Sequence, residues 1–425
     1  MPAPPSPRRL DVWLDARKVG ELREQGNLWT FAYEREWQAS GFDLSPALRR
    51  AGGEIVDGAS LRPVQWFFDN LLPEEGARRL LAREASLDPA DAFGLLQHYG
   101  PESAGALTLL APGQALPDAR LEPLPDEVLS ARIRALPRQP LSEGAPKRMS
   151  LAGAQHKLAV VLHQERLWEP VGRATSTHIL KPDHERVDEY PHSAANEWFC
   201  MRLAAACGVP VPAVEFRHVP EPLYLVRRFD REGEGLAARR LYALDACQVL
   251  SLDAVFKYRE ATAERLVELV SLCRRPAATR LALLRWQIFN LLIGNRDAHL
   301  KNLSFLAAPG TGGMELALHY DLLSTAVYRA PDWSGAELVI PMGTARTFGQ
   351  VRRADIVAFG AALGVPERTT LRQLEQVAGS MRGHARALVE AYEAGRYGTP
   401  WAGEARLLRQ IAWGVVEDAL GQLGF

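Results

Sequence analysis

The chain has 425 residues, in which 50 lysines and arginines nearly cancel 51 aspartates and glutamates, for a formal net charge of −1. Apolar residues make up 47% and charged residues 24%, which excludes a wholly disordered chain and disfavours a dedicated nucleic-acid binder with its usual basic excess. At roughly 100–200 residues per domain, the length allows two to four compact units.

The N-terminus, MPAPPSPRRL, has no apolar core and does not read as a secretory leader. Residues 8–33 predict three strands: a hairpin of 11–14 and 17–22 bending at Asp15-Ala16, then an alternating run over 28–33. Ser45-Pro46 predicts a short helix stopped by Gly52-Gly53, because serine caps well and proline suits the first helical position. A second helix is expected over 71–85, with Glu74 and Glu75 at its positive end, and a third from Asp88-Pro89 to about Gly100. Residues 111–148 are rich in proline and polar groups and read as a linker or loop-rich edge.

Strand-like runs return at 157–162, 177–181 and 223–227, with a helix over 194–207 ending at Gly208. Beyond about residue 240 the pattern is mainly helical, with apolar residues at threes and fours in 262–273, 277–294, 365–392 and 403–423. The most apolar stretch, 281–294, contains Arg285, Gln287 and Asn290 and is shorter than the ~18–20 residues a spanning helix needs. No membrane contact is therefore expected, and a cytoplasmic location is. Cys200, Cys207, Cys247 and Cys273 form no C-x-x-C pair and read as reduced, partly buried thiols.

The best chemical signal is the run N-R-D-A-H-L-K-N over 295–302, at the end of an amphipathic helix. Asp297 and Asn302 have the D-x-x-x-x-N spacing that lets a carboxylate reach an incoming hydroxyl while an amide oxygen ligates Mg²⁺. Downstream, 316–321 reads as a short apolar strand ending in Asp321, where phosphotransferases carry a second metal ligand. Upstream, the small residues of 150–155 would let backbone N–H groups approach phosphate oxygens, although they match neither common glycine-rich fingerprint. Lys181 closes a strand and could pair with phosphate, and Glu197, sixteen residues on, could orient it. Singly, each of these residues has an ordinary reading as a surface charge or turn former.

Together with DVWLD and VGEL near the start, FDNLLPE, FGLLQHYG, SLAGAQHK, THILKP, NEWFCMRLA, GVPVP, VRRFDR, LIGNRDAHLKNLSF and HYDLLS, the chain resembles the HipA family of toxin–antitoxin kinases. The resemblance implies an α+β, two-lobed protein-kinase-like fold, with a mixed α/β N-terminal lobe, an all-α C-terminal lobe and an extra small N-terminal α/β subdomain. The expected boundaries are 1–125, 126–235 and 236–425. By resemblance, Asp297 becomes the catalytic base, Asn302 and Asp321 the Mg²⁺ ligands, and Lys181 the contact to ATP phosphates. The phosphate loop becomes Leu151, Ala152, Gly153, Ala154, Gln155, His156 and Lys157. Arg227, Arg228 and Phe229 fall where the family holds adenine through backbone, and His299, Lys301 and Tyr320 join the nucleotide-binding set. Ser150 matches a serine that relatives autophosphorylate.

Three departures stand out: Ala298 follows the base where glycine is frequent, Arg227 occupies a hinge position often acidic or neutral, and His156 follows Gln155 where an acidic residue is common. The implied function is an ATP- and Mg²⁺-dependent serine/threonine kinase toxin. Its implied partners are a protein substrate, an aminoacyl-tRNA synthetase among the options, and a HipB-like helix-turn-helix antitoxin through which alone it would meet DNA. A catalytically idle co-repressor and a small-molecule phosphotransferase are the alternatives. The intact set Lys181, Asp297, Asn302 and Asp321 argues against the idle one.

Overall fold

The computed structural model describes residues 7–149, 151–307, 312–329 and 332–425. Its contacts divide the chain into two compact units. The first takes Met1–Leu180, Arg228–Phe256 and Phe305–Gly312; the second takes Lys181–Arg227, Lys257–Ser304 and Gly313–Phe425.

The first unit opens with an antiparallel meander, Arg8–Leu14, Arg17–Gln25 and Leu28–Tyr33, extended at one edge by Ile55–Val56 and at the other by Leu107–Leu110. Asp15 supplies the left-handed residue of the first turn, as its place between two strands predicts. Alternation along Leu28–Tyr33 puts Trp29, Phe31 and Tyr33 on the buried face. The helices Pro63–Asp69 and Ala92–Tyr99 cover that face, with Phe68 5.6 Å from Phe31 and Phe93 5.2 Å from Trp29 between ring centres. The second of these helices starts one turn later than expected, because Asp91 caps it by accepting from the Gly94 N–H at 3.0 Å. The helix expected after Ser45-Pro46 is instead one tight turn: Ser45 Oγ accepts from the Leu48 N–H at 3.2 Å, and Leu44 and Leu48 are buried as anchors.

The proline-rich stretch is also more ordered than its composition predicts. Arg120–Pro123 pairs antiparallel with a strand not expected from the sequence, Arg166–Val171, and Asp126–Ala135 is a helix. That helix has Asp126 and Glu127 at its start and Arg132 and Arg134 at its end, matching the macrodipole at both termini. Leu158–His163 lies between Arg166–Val171 and the start of His178–Pro182.

In the second unit, the helix Ser193–Ala206 is buried along most of its length and packs on the hairpin of Val214–His218 and Pro222–Arg227. The 27-residue helix Glu367–Glu393 packs against both Ser193–Ala206 and Pro276–Leu292, close to the periodicity of the sequence. The core of Pro276–Leu292 is Leu283, Leu284, Trp286, Ile288 and Phe289. The C-terminal third is not wholly helical: Glu337–Met342 pairs with Ala345–Thr347. Residues 402–422 form two helices joined by a wide turn at Ile411–Val415. All four cysteines are buried thiols outside any disulfide. Among the described residues no helix is long and apolar enough to cross a membrane.

Candidate active site

Lys181 is the ordering centre of the second unit. It is the next-to-last residue of the strand His178–Pro182, and its buried ammonium donates to both carboxylate oxygens of Glu197, at 2.8 and 2.9 Å, and to Asp321 Oδ1. Burial alone would lower its basicity, but Asp321 and Glu197 outweigh that cost and hold the ammonium raised. The ring of Tyr224 lies beneath it, centroid 5.8 Å from Nζ. Glu197 can reach inward because Ser193–Ala206 is buried on that face, and its neighbour Asn196 fixes the helix to the chain beyond Asp321. Asn196 Nδ2 donates to the Ser324 carbonyl at 2.9 Å and its Oδ1 accepts from the Ser324 N–H at 2.9 Å. Asp321 sits in the left-handed region at φ 60°, a conformation that costs a non-glycine residue energy and concentrates at functional positions.

The 294–302 loop is built by a chain of short bonds. The helix Pro276–Leu292 is closed by Gly294, where φ is +62° and an added Cβ would collide with that of Ala326. Asn295 donates to Asn290 Oδ1 at 2.8 Å and accepts from the Asp297 N–H at 2.9 Å, while Arg296 N–H is held by Thr325 Oγ1 at 2.8 Å. Asn302 Nδ2 donates across the loop to the Asp297 carbonyl at 2.7 Å. Its nitrogen is thus used within the loop, and the atom the side chain can offer a cation is its oxygen. Tyr320 carries the same order to Asp321: its hydroxyl donates to the Lys301 carbonyl at 2.9 Å and lies 2.7 Å from Ser304 Oγ. The strand expected over 316–321 does not form: the strand here is Met314–Leu316, and the residues from Ala317 to Asp321 are irregular. His319 is buried there against Trp286, and burial pushes its imidazole down to about 3.

Asp297 itself receives a hydrogen bond from the hydroxyl of Tyr258, and His299 Nε2 stands 3.7 Å from the same oxygen. Tyr258 had no signal in the sequence: it lies 39 positions upstream in no motif, and only the folded chain brings it there. Tyr224 was missed for the same reason, whereas Asn196 stands in the NEWFCMRLA run but was given no role. His299, Lys301 and Asn302 are all buried. The Arg227 side chain is exposed and its backbone N–H donates to the Ala213 carbonyl at 2.9 Å, so its charge is turned to solvent. Carboxylate and amide oxygens at Asp321 and Asn302 suit a hard divalent cation, and a buried, charge-raised lysine suits phosphate.

The remaining expected residues belong to the first unit. Leu151 is buried and Gly153 takes φ +103°, with Lys157 Nζ donating to the Ala152 carbonyl at 2.7 Å, so the segment curls over its own lysine. The Glu74 N–H donates to the Gly153 carbonyl at 3.1 Å. Ala154, Gln155 and His156 are at least partly exposed. Arg228 does not present its guanidinium to a ligand: it is buried and bound to Asp230 at 2.8 and 2.9 Å and to Ser176 at 3.2 Å, beside a half-buried Phe229. Ser150 lies outside the described residues.

Residues 149–385 match the family model of the HipA-like C-terminal domain, and residues 10–110 that of the HipA N-terminal domain. The chain belongs to the HipA family. It is 32% identical to the serine/threonine-protein kinase toxin HipA of Shewanella oneidensis over 87% of this chain and 86% of that one. It is 34% identical to Y4mE of Sinorhizobium fredii over 95% and 99%. The fold is similar to a chain solved in the complex of Shewanella oneidensis MR-1 HipA, HipB and operator DNA, with a TM-score of 0.81 at 27% identity over 98% of both chains. As a HipA-family protein, the chain is a serine/threonine protein kinase, an enzyme class that uses a nucleotide and a metal. Lys181, Glu197, Tyr258, Asp297, Asn302 and Asp321 all fall within the stretch matched by the C-terminal family model.

Proposed function

We propose that this HipA-family kinase transfers the γ-phosphoryl group of ATP to a serine or threonine of a protein substrate, with Mg²⁺ held by Asp321 and Asn302. The observation that carries this reading is the buried Lys181 ammonium shared by Glu197 and Asp321. That arrangement puts an oriented cation beside a carboxylate suited to a metal, as phosphoryl transfer requires. Bound Mg²⁺ would neutralise charge on the phosphates. Lys181, held by Glu197, contacts the phosphates, and Leu151–Lys157 supplies backbone N–H groups to them. The hydroxyl oxygen of the acceptor forms the new P–O bond as the bond to ADP breaks, and its proton passes to Asp297. Arg227, Arg228 and Phe229 offer adenine backbone groups only, since the Arg228 side chain is already committed to Asp230.

The role of toxin follows from the relatives. A HipB-like antitoxin with a helix-turn-helix is the expected partner, with DNA reached through it, and a host protein such as an aminoacyl-tRNA synthetase is the expected target. Phosphorylation of Ser150 would place about −1.5 to −2 charges next to a loop that binds phosphate, opposing ATP and switching the kinase off. Incubation with Mg²⁺ and γ-labelled ATP tests both ideas. Label is expected at Ser150 in the wild type and at no site in Asp297→Asn. Ser150→Ala should take no label at that position while still phosphorylating substrate. A folded wild type that binds antitoxin and incorporates no label sinks the kinase mechanism in favour of a binding module.

A further inference from the structure

We infer that Thr325 is a positioning residue for phosphoryl transfer, its side-chain hydroxyl fixing the loop that carries Asp297 to the segment that carries Asp321. The inference rests on the reading of Asp297 as the base and Asp321 as a metal ligand. Thr325 Oγ1 bonds twice to the loop: it donates to the Gly294 carbonyl at 3.0 Å and accepts from the Arg296 N–H at 2.8 Å. The Ala326 N–H donates to the same Gly294 carbonyl at 3.1 Å. Within the loop, Asn295 Oδ1 accepts from the Asp297 N–H at 2.9 Å. The backbone N–H groups of Arg296 and Asp297 are thus both held, the first of them by Thr325.

The preceding residue is tied to a different element. An asparagine amide carries both a donor and an acceptor, and that of Asn196 meets the Ser324 carbonyl and N–H at 2.9 Å each. Asn196 Nδ2 also donates to the Tyr328 hydroxyl at 3.0 Å. Asn196 is fully buried and adjoins Glu197, which binds Lys181 through both oxygens. Two consecutive residues, Ser324 and Thr325, therefore join the helix Ser193–Ala206 to the loop that begins at Gly294, just beyond Asp321 in the chain. Phosphoryl transfer needs these parts in register: Lys181 and Asp321 set where phosphates and metal would lie, and Asp297 must meet the acceptor hydroxyl in line with them. Asn196 secures the Lys181 half of that register and Thr325 the Asp297 half. A base displaced by about 1 Å can cost about a hundredfold in rate while the nucleotide still binds.

Thr325→Val keeps the branched shape and removes the hydroxyl, whereas Thr325→Ser keeps the hydroxyl and removes a methyl group. For Thr325→Val, kcat should fall about ten- to a hundredfold. Its KM for ATP and its direct binding of a non-hydrolysable ATP analogue should change less than about twofold, because the Lys181–Glu197–Asp321 contacts and the Asn196 bonds stay in place. Thr325→Ser should keep kcat within about threefold of the wild type. A wild-type kcat in Thr325→Val overturns the inference. Thr325→Ser as slow as Thr325→Val overturns it too, since the methyl group and not the hydroxyl would then matter. Loss of analogue binding along with rate in Thr325→Val also overturns it, marking the residue as a general staple of the fold. Asp297→Asn, assayed alongside, separates the two levels: substantial activity in that variant means that Asp297 is not the base, whatever Thr325 does. Where Asp297→Asn is nearly inactive, adding Thr325→Val to it should cost less than about twofold more, because both changes act on one step. A further loss of about tenfold in that background means that Thr325 acts through another group, and overturns the inference.

Discussion

Lys181 shows how one buried charge sets the electrostatics of the site. A single ammonium faces two carboxylates, so the trio carries a net negative charge that a divalent cation relieves. Glu197 binds through both oxygens and is the more buried of the two acids, its side chain 4% exposed against 26% for Asp321. Glu197 therefore fixes the lysine, and on the proposed reading Asp321 is the partner that would exchange it for a metal. Glu197→Gln keeps the shape but leaves the ammonium one neutral acceptor in place of a bidentate carboxylate. A hydrogen bond to a charged group contributes about 1.5–3 kcal/mol, so the variant should lose roughly ten- to a hundredfold in kcat/KM for ATP. Its far-UV spectrum and melting curve should show a folded protein. Steady-state kinetics over a range of ATP concentration make the check, and unchanged kinetics would remove Glu197 from the site.

At the scale of the elements, the end of the helix Pro276–Leu292 decides where Asp297 stands. Gly294 turns the chain with φ +62° against Ala326, and the next residues are pinned by Thr325 and Asn290. Gly294→Ala meets both a backbone penalty and a blocked approach, and should lower stability by about 1–3 kcal/mol and activity with it. Gly379→Ala makes the control. Gly379 is in the interior of the helix Glu367–Glu393 with nothing within 4 Å of an added Cβ, so alanine there should stabilise by about 0.5–1 kcal/mol. Urea midpoints of the two variants should move in opposite directions.

The same elements explain what the sequence could tell. Asp297 and Asn302 were legible because both stand in one loop at a fixed spacing behind a periodic helix. The long helices were legible because their buried faces repeat at threes and fours. The strand Arg120–Pro123 and the helix Asp126–Ala135 were not, because prolines crowd their boundaries and resemble a linker, while their support comes from pairing with Arg166–Val171 and from the Arg132–Glu169 ion pair at 2.6 Å. Tyr258 was invisible for a related reason: it acts on a partner many residues away, and no local pattern marks such a contact.

At the scale of the whole molecule, the two family models that match the chain are joined inside the first unit by a cluster of buried charges. Glu102, from the N-terminal match, is fully buried and accepts from Lys147 at 2.7 Å and Arg240 at 2.5 Å, with Ser176 Oγ donating at 2.9 Å. Arg228, Asp230, Arg231 and Arg240 come from the C-terminal match; Arg231 also donates to the Gly105 carbonyl at 3.1 Å. Four cations thus surround two carboxylates. Burial opposes the charge on Glu102, but Arg240, Lys147, Arg231 and Arg228 prevail and hold its carboxyl well below the ordinary range. Asp230 is likewise held down at about 2, against its own burial, by Arg228 and Arg231. Lys147 lies three residues before Ser150, so the cluster also anchors the root of the proposed phosphate loop.

Removing one member of such a set is worse than never having built it, because the survivors stay buried without compensation. Glu102→Gln should cost about 3–5 kcal/mol in urea unfolding at pH 7, far more than loss of an exposed pair such as Arg239–Glu232. The sign of the pH dependence follows from the lowered carboxyl. The folded state binds the Glu102 proton less tightly than the unfolded chain, so the stabilisation is complete above about pH 4.5 and is lost as pH falls through the lower folded value. The wild type should therefore weaken steeply in acid. Glu102→Gln, already lacking the charge, should start lower and show a shallower slope below pH 4.5. Equal slopes in the two proteins would place the acid sensitivity elsewhere and deny the cluster its role as the weld between the two matched regions.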